Sequence, residues 1–397
     1  MPKILHQPTK KTTKGGQKMS DNNITELYGA LSKFLSAISP AIDYVRELDA
    51  SLTDLKQATG ASDEELKQLF IDSENIAKGI NTTTKEIINQ TTWWKNLGYN
   101  IKDAQTLAKN TSILSALSPG LGTEKAASSL LNTIKAFELE PDNSLDSVIS
   151  KINITGQNSG LSNTGITDML SQTSSAMAEA GNTLDETIAL GASAMKITGS
   201  ADTASDILNS ITGNIQDNGP VISELTKTPV MPDGISLFTD ETNETYKTTY
   251  RILSDIASVW EQLDSGSQTE LISTVSGGEN IQPVTQLIES FDTARQSVIL
   301  MSDSAGSAMQ SINESTDGLN AKLNTLSETG AGIAQNLFGE KDMETATDAV
   351  NALGNALEWI TGKIGLFGTM AAGAGLISGI KNIGKYVQAH GFQTIIC

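Results

Sequence analysis

Apolar residues recur at three- and four-residue steps through most of the chain, the spacing that lines one face of an α-helix. Leu27, Leu31, Leu35, Ile38, Ile42, Val45, Leu48, Leu52 and Leu55 form one stripe through two helices. Pro40 marks a kink or restart within it, because the proline ring is excluded from a helix interior. Ile87, Thr91, Trp94 and Leu97 make a second, shorter stripe that ends at Gly98. Trp94 is expected in the core, and its neighbour Trp93 half-buried against the next helix. Asn100 reads as the cap of a helix holding Leu107, Ile113 and Leu114. The pattern stays helical over 123–137 and 145–154, 156–165 reads as a loop, and helices resume near Ser162.

The texture changes around 228–243. Pro229, Pro232 and Gly234 precede Ile235, Leu237 and Phe238, an alternation long enough for one short strand or an extended arm, and this is the best internal boundary. A strongly amphipathic helix follows, with Tyr246, Tyr250, Leu253, Ala257, Trp260 and Leu263 on one face and Trp260 as a packing anchor. Beyond Gly277 and Gly278 a helix is predicted over 282–300. A near-heptad seam then runs through Met301, Ala305, Ala308, Ile312, Leu319, Leu323, Leu326, Ile333 and Leu337. Gly306, Gly318, Gly330 and Gly332 interrupt it, each costing about 1 kcal/mol relative to Ala, so breaks or bends are expected there instead of a rigid rod.

Local punctuation agrees with this reading. Ser62-x-x-Glu65, Thr83-x-x-Glu86 and Thr183-x-x-Glu186 match the capping box, in which a hydroxyl takes a free amide of the first turn and the glutamate bonds back. Gly60, Gly98, Gly181 and Gly199 stand where helices should stop. The acidic groups Asp63, Glu64 and Glu65, and Asp185 with Glu186, fall at helix starts, where the helix dipole favours negative charge, so capping explains them better than paired acid–base chemistry. The expected fold class is all-α. Short capped helices are followed by long amphipathic, coiled-coil-like helices and a Gly-rich apolar C-terminal helix. The domain reading is a disordered basic leader (1–22), amphipathic helices (23–60), a compact multi-helix core (61–227), an irregular linker (228–243), a helical region (244–300), a long helix (301–345) and an apolar Gly-rich segment (346–397).

Composition narrows the functional classes. Aromatic residues make up 5% of the chain and glycines number 34, so cores should be thin and built from Leu, Ile, Val and Ala. With 27 Lys and Arg against 46 Asp and Glu, the formal charge of -19 repels phosphate, which argues against sequence-specific nucleic-acid binding. Cys397 is the sole cysteine, so no internal disulfide forms and a thiolate metal site lacks partners. His6 and His390 lie at opposite ends with no second ligand at metal spacing, and no cofactor is expected. A phosphate loop, an HExxH zinc helix and a GxSxG elbow are all missing from the sequence, so the expectation is that the chain is not an enzyme. Residues 1–18 are basic and polar without the apolar stretch of a secretory signal, and Met19 is an alternative start.

One segment carries membrane chemistry. Residues 364–380, IGLFGTMAAGAGLISGI, are uncharged and bracketed by Lys363 and Lys381, though shorter than the ~20 residues of a usual span. Ala371, Gly375 and Gly379 sit four apart, a small-residue face that lets helices approach closely. Two readings stand: a buried or self-associating helix, or a segment that enters a membrane. The second, with the amphipathic helices, is the basis of an alternative functional class, a membrane-active helical protein such as a pore-forming toxin or bacteriocin-like factor.

The succession of these parts resembles the core region of bacteriophage tail tape measure proteins, including those of prophages. The resemblance spans roughly 48–385. It is carried by the stretch from LDASLTDLKQATGASDEELKQLF through WWKNLGYN to LLNTIKAFEL, by AEAGNTLDETIALGASAMKITG, by GISLFTDETNETYKTTYRILSDIASVWEQL and by SAGSAMQSINESTDGLNAKLNTLSETGAGIAQNLFG. Thr59-Gly60, Gly98, Ala136-Phe137, Gly181 and Ala305-Gly306-Ser307-Ala308 carry it best. Each string is a helix-turn-helix texture, and their order is the specific part. The closing GFQTIIC reads as a truncated end.

The resemblance implies a structural protein of the tail lumen, made in the bacterial cytoplasm. It implies binding to tail tube, tail tip and tail assembly chaperone proteins, self-association, and tail length set by the protein's own extended length. It also implies departure before genome ejection, contact with the host inner membrane and help in genome delivery. As one continuous helix the chain would reach about 600 Å, an upper bound given its glycine breaks.

Overall fold

The computed structural model describes residues 47–314, apart from 81, 142, 230 and 240–244. The sequence readings for 1–46 and 315–397 lie outside the described residues. That covers the leader, the upstream half of the first stripe, most of the 301–345 helix, the apolar C-terminal segment and the end read as truncated.

The described chain is all-α, as the periodicity requires. A first helix α1 occupies 47–59. It is followed by α2 (Asp63–Gly79), α3 (Thr84–Asn96), α4 (Ile101–Leu117), α5 (Thr123–Ala136), α6 (Asn143–Ser159), α7 (Asn163–Glu179), α8 (Leu184–Thr198), α9 (Ala201–Asp217) and α10 (Gly219–Leu225). After an extended segment come α11 (Thr249–Val259), a 3₁₀ turn (Trp260–Gln262), α12 (Ser265–Ser276), α13 (Ile281–Glu289), α14 (Asp292–Ser302) and α15 (Ser307–Glu314). The single extended pairing among the described residues is an antiparallel bridge between Phe238 and Tyr246.

Local signals set the helix ends. Ser62 and Thr183 form complete capping boxes with Glu65 and Glu186, while Thr83 accepts from the Glu86 amide. Glu86 does not reach back; its carboxylate instead accepts from the Gln90 side chain at 3.2 Å, one turn on. Asn100, Ser162, Ser200, Thr248 and Asp264 cap α4, α7, α9, α11 and α12 in the same way. Gly60, Gly98, Gly181 and Gly199 all take the positive φ expected of helix stops, from 67° to 99°.

Apolar residues of α2 to α15 meet in one hydrophobic cluster running from Ala77 to Ile312. Helices α2 to α5 pack each on the next. Beyond them α7 lies against α5, α8 and α9, and α12 joins α9 to α10 and α13. The centre is α8, which touches α6, α7, α9, α11, α13 and α14. Its residues from Glu186 through Met195 are all buried, the pattern of a helix enclosed on every side. Gly191 makes this possible on the α7 side: a Cβ there would run into Sδ and Cε of Met169, itself fully buried.

Five sequence expectations are corrected by the packing. Leu97 does not continue the Ile87 stripe into the core. It caps α3 with 47% of its surface exposed, because the chain turns at Gly98. The expected loop at 156–165 is mostly helix, since α6 runs to Ser159 and α7 starts at Asn163. Asn158 and Ser159 there bond back to the carbonyls of Ile154 and Thr155, so polar side chains support the last turn instead of ending it. Tyr246 lies in the extended bridge, before the start of α11. The predicted 282–300 helix is two helices meeting at Ser290 and Phe291, and Phe291 turns into the core. Finally, Met301 belongs to α14, which stops at Ser302, so a long helix does not begin there. The break falls at 303–306, where Gly306 has a φ of 78°, one of the seam glycines expected to interrupt it.

The 228–243 segment is irregular where described, and it is not set apart from the helices. Ile235 and Leu237 are buried in the same cluster as residues from α2 to α14. Ser223 Oγ in α10 donates to the Ile235 carbonyl at 2.8 Å, and the Ile235 amide donates to Thr226 Oγ1 at 3.0 Å.

Candidate functional site

Ala371, Gly375 and Gly379, the small-residue face identified in the sequence, lie outside the described residues. Among the described residues no group of His, Cys, Asp and Glu is placed to hold a metal ion, and no helix is long and apolar enough to cross a membrane. The features that organise this chain are instead joints between helices and a few exposed apolar side chains.

One such joint lies where the α7–α8 turn meets the start of α11. Gly181 ends α7 with a φ of 76°, and the next residue, Asn182, is 4% exposed. Its Nδ2 donates to the Met177 carbonyl at 2.9 Å, closing the end of α7, and its Oδ1 accepts the Tyr250 amide at 2.9 Å. One side chain therefore satisfies a carbonyl at one helix end and a free amide at another helix start. Glu186 works in parallel. One carboxylate oxygen accepts the Thr183 amide at 2.9 Å, and the other accepts Thr248 Oγ1 at 3.3 Å and lies 3.9 Å from Arg251 Nε. Thr248 in turn caps α11 through the Arg251 amide at 3.1 Å. The N-caps of α8 and α11, 65 residues apart in number (183 and 248), are thus joined through one glutamate.

The same end of α8 is tied to α6 by an ion pair between Lys151 and Asp185 at 2.5 Å. Tyr250 lies over Phe291, with ring centroids 5.1 Å apart, and the Arg295 guanidinium stands 5.3 Å from the other ring's centre. Burial raises the Tyr250 hydroxyl above the ordinary tyrosine range; Arg295 opposes that shift and Glu186 adds to it. Arg295 also donates to Ser254 Oγ at 2.9 Å, so α14 is fastened to α11 by a charge that keeps a hydrogen-bonded partner.

The sequence anticipated Asp185 and Glu186 as helix-start acids, and they are that. It did not anticipate Asn182, nor the reach of Glu186 to α11. A local hint was present: a Gly-Asn-Thr run places an amide side chain immediately after a helix stop and before a cap, where free donors and carboxamides meet. Asp63 and Glu65 likewise serve the start of α2. Glu65 is held below the usual carboxylate range, first by the Ser62 amide and then by its hydroxyl, and Asp63 pairs with Lys56 at 2.6 Å. Trp94 is fully buried, donates from Nε1 to Thr111 at 3.0 Å and meets Trp93 and Tyr99 edge-on. Trp93 is half-buried, as its place on the helix predicts. Trp260, in the 3₁₀ turn, is a buried anchor.

The largest exposed apolar side chain among the described residues is Ile299 of α14, at 67%, beside Leu300 at 41%. These two residues lie on the outer face of α14, between the buried Ala294 and Met301, and precede the 303–306 break.

This arrangement holds helices in register through satisfied caps and buried apolar faces, which is the chemistry of a structural element. No solved structure matches the chain. The family model for phage-related minor tail proteins matches residues 72–277, from within α2 to the glycine that ends α12. That span is just over half of the 397-residue sequence and contains the α8 centre and the Asn182–Glu186 joint, and the chain belongs to the phage-related minor tail protein family.

Proposed function

We propose that, within the structural role of a phage tail protein, this chain is a tape measure protein or the core portion of one. It would lie in the tail lumen, set tail length, and be met there by tube, tip and assembly-chaperone proteins. The observation that carries this reading is the family match centred on helices whose ends are satisfied locally. A ruler must convert residue number into length, and helix does so at ~1.5 Å per residue. Caps and glycine turns set where these helices begin and end within three or four residues, whatever the distant partners. The heptad-like spacing that continues past α15 in the sequence supplies the longer stretch a ruler needs.

The test is particle length. Peptides from this chain should appear in purified tails by mass spectrometry. An in-frame deletion of about 30 residues within 315–345 should then shorten tails by about 45 Å in electron micrographs, the helical rise multiplied by the residues removed. Normal tails of unchanged length would overturn the ruler, and absence of the chain from tails would overturn the lumenal placement.

A further inference from the structure

The described part of α15, Ser307–Glu314, is fastened to the rest of the fold by a set of polar groups and a few apolar residues. It packs on α6 and α4. The apolar residues it buries are Ala308 and Ile312, with Met309 partly covered. Ser307 Oγ donates to the Ser150 carbonyl at 3.0 Å. Asn153 Nδ2 donates to the Ser307 carbonyl at 3.1 Å and to Ser311 Oγ at 3.0 Å, and Gln157 Nε2 donates to Ser311 Oγ at 3.0 Å. Asn153 is 3% exposed and is held from its other side: its Oδ1 accepts Asn163 Nδ2 at 3.3 Å, and the same Asn163 group reaches the Leu117 carbonyl at the end of α4 at 2.9 Å.

The contrast with α8 is physical. A helix buried from Glu186 through Met195 cannot leave without opening the core, because its apolar surface has no other cover. The hydrogen bonds named for α15 all exchange for water on departure, so their net contribution is small. The apolar surface that the few apolar residues of α15 bury is small beside that of α8, buried from Glu186 through Met195. Asn153 keeps its Asn163 bond when α15 is gone, so the α4–α6–α7 junction has its own support. The connection to α14 is the 303–306 turn with Gly306 at a φ of 78°, a short hinge with one residue in the left-handed region.

We infer that α15 is a releasable latch. It detaches from α6 and α4 about the 303–306 hinge while α2 to α14 stay folded. Pull on the chain from residue 315 onward is thereby taken up by α15 before it reaches the core. The face it uncovers presents the Asn153 and Gln157 amides and the Ser150 carbonyl. The inference stands whether or not the chain is a ruler.

Hydrogen–deuterium exchange with mass spectrometry on the full chain tests it, following peptides that cover 307–314 and 184–195. Amides of 307–314 should be protected relative to an unfolded chain yet exchange about 100-fold or more faster than those of α8, the mark of a sub-global opening. Ser311→Ala removes the acceptor shared by Asn153 and Gln157, and should speed exchange in 307–314 by about fivefold with 184–195 unchanged. Gln157→Ala, altered on an exposed position of α6, should act in the same direction and more weakly. Exchange of 307–314 at the α8 rate would overturn the latch, as would equal acceleration of both regions by Ser311→Ala. Exchange as fast as an unfolded chain would show that α15 does not dock.

Discussion

Gly191 and Gly213 offer one substitution with opposite consequences. Both sit inside helices, α8 and α9, and neither has a left-handed backbone. Replacing a mid-helix glycine by alanine removes unfolded-state freedom and is worth roughly 0.5–1 kcal/mol where space allows. At Gly213 a Cβ meets nothing within 4 Å, so Gly213→Ala should stabilise by that amount. At Gly191 the new methyl collides with the end of the Met169 side chain and lies 3.2 Å from its Cγ. Met169 is fully buried, and its sulfur lies 3.3 Å from Thr173 Oγ1, so it has little room to withdraw. Overpacking of this kind costs about 1–3 kcal/mol. After subtracting the helix gain, Gly191→Ala should destabilise by about 1–2 kcal/mol. At roughly 2–4 °C per kcal/mol for a domain of this size, the two variants should differ in Tm by about 3–12 °C, read by circular dichroism at 222 nm and checked by denaturant titration. Met169→Ala creates a cavity alone, yet combined with Gly191→Ala it should cost less than the sum of the two, with about 1 kcal/mol or more of favourable coupling. Equal shifts for Gly191→Ala and Gly213→Ala, or strict additivity with Met169→Ala, would refute the close α7–α8 approach.

Three further outcomes follow from the described contacts. Gly234→Ala combines a φ of 76° with a Cβ driven into the Ser223 carbonyl, a backbone atom that cannot rotate away, and should cost about 2 kcal/mol or more in denaturant titration. Asn182→Ala leaves the Tyr250 amide without its acceptor and should cost about 1–3 kcal/mol; Asn182→Asp keeps that acceptor but sets a buried carboxylate oxygen against the Met177 carbonyl, and should cost at least as much. Asp264 is held below the usual carboxylate range, chiefly by the Ser267 amide, then by the Ser267 hydroxyl and the Gly266 amide. Its contribution to α12 is therefore fully present above the ordinary aspartate pKa and disappears as pH falls through the lowered folded value. An NMR titration should find the Asp264 carboxyl among the more acidic of the chain, and Asp264→Ala should flatten the acid limb of the α12 exchange profile.

How much was legible in advance depended on the range of the interaction. Helix starts at Ser62, Asn100, Ser162 and Thr183, and helix stops at Gly60, Gly98, Gly181 and Gly199, were readable because a cap is completed within three or four residues. The burial of Trp94, Leu107 and Leu253 was readable because 3.6-residue periodicity places them on a covered face. The small-residue face at Ala371, Gly375 and Gly379 lies outside the described residues.

Other features were beyond any local rule. Val284, Leu287, Ile288, Phe291, Ala294 and Met301 keep helical spacing straight through the bend at Ser290 and Phe291, so periodicity alone reads one helix where there are two. The spacing of a stripe is the same whether its two halves pack on one neighbour or on several. Here α13 lies against α11 and α12 while α14 reaches α6, and both rest on α8. Asn182 gives no signal of its link to Tyr250, 68 residues on, because every carboxamide reads alike in a sequence until the fold brings a free N–H to it. The sequence by itself determined that the chain is helical, where the capped and glycine-stopped helices begin and end, and most of the apolar stripes, since those are settled within a turn or two of chain. Which faces meet, and that α8 is the helix enclosed by the rest, was decided only in the tertiary structure, where contacts distant in sequence compete for the same apolar surface.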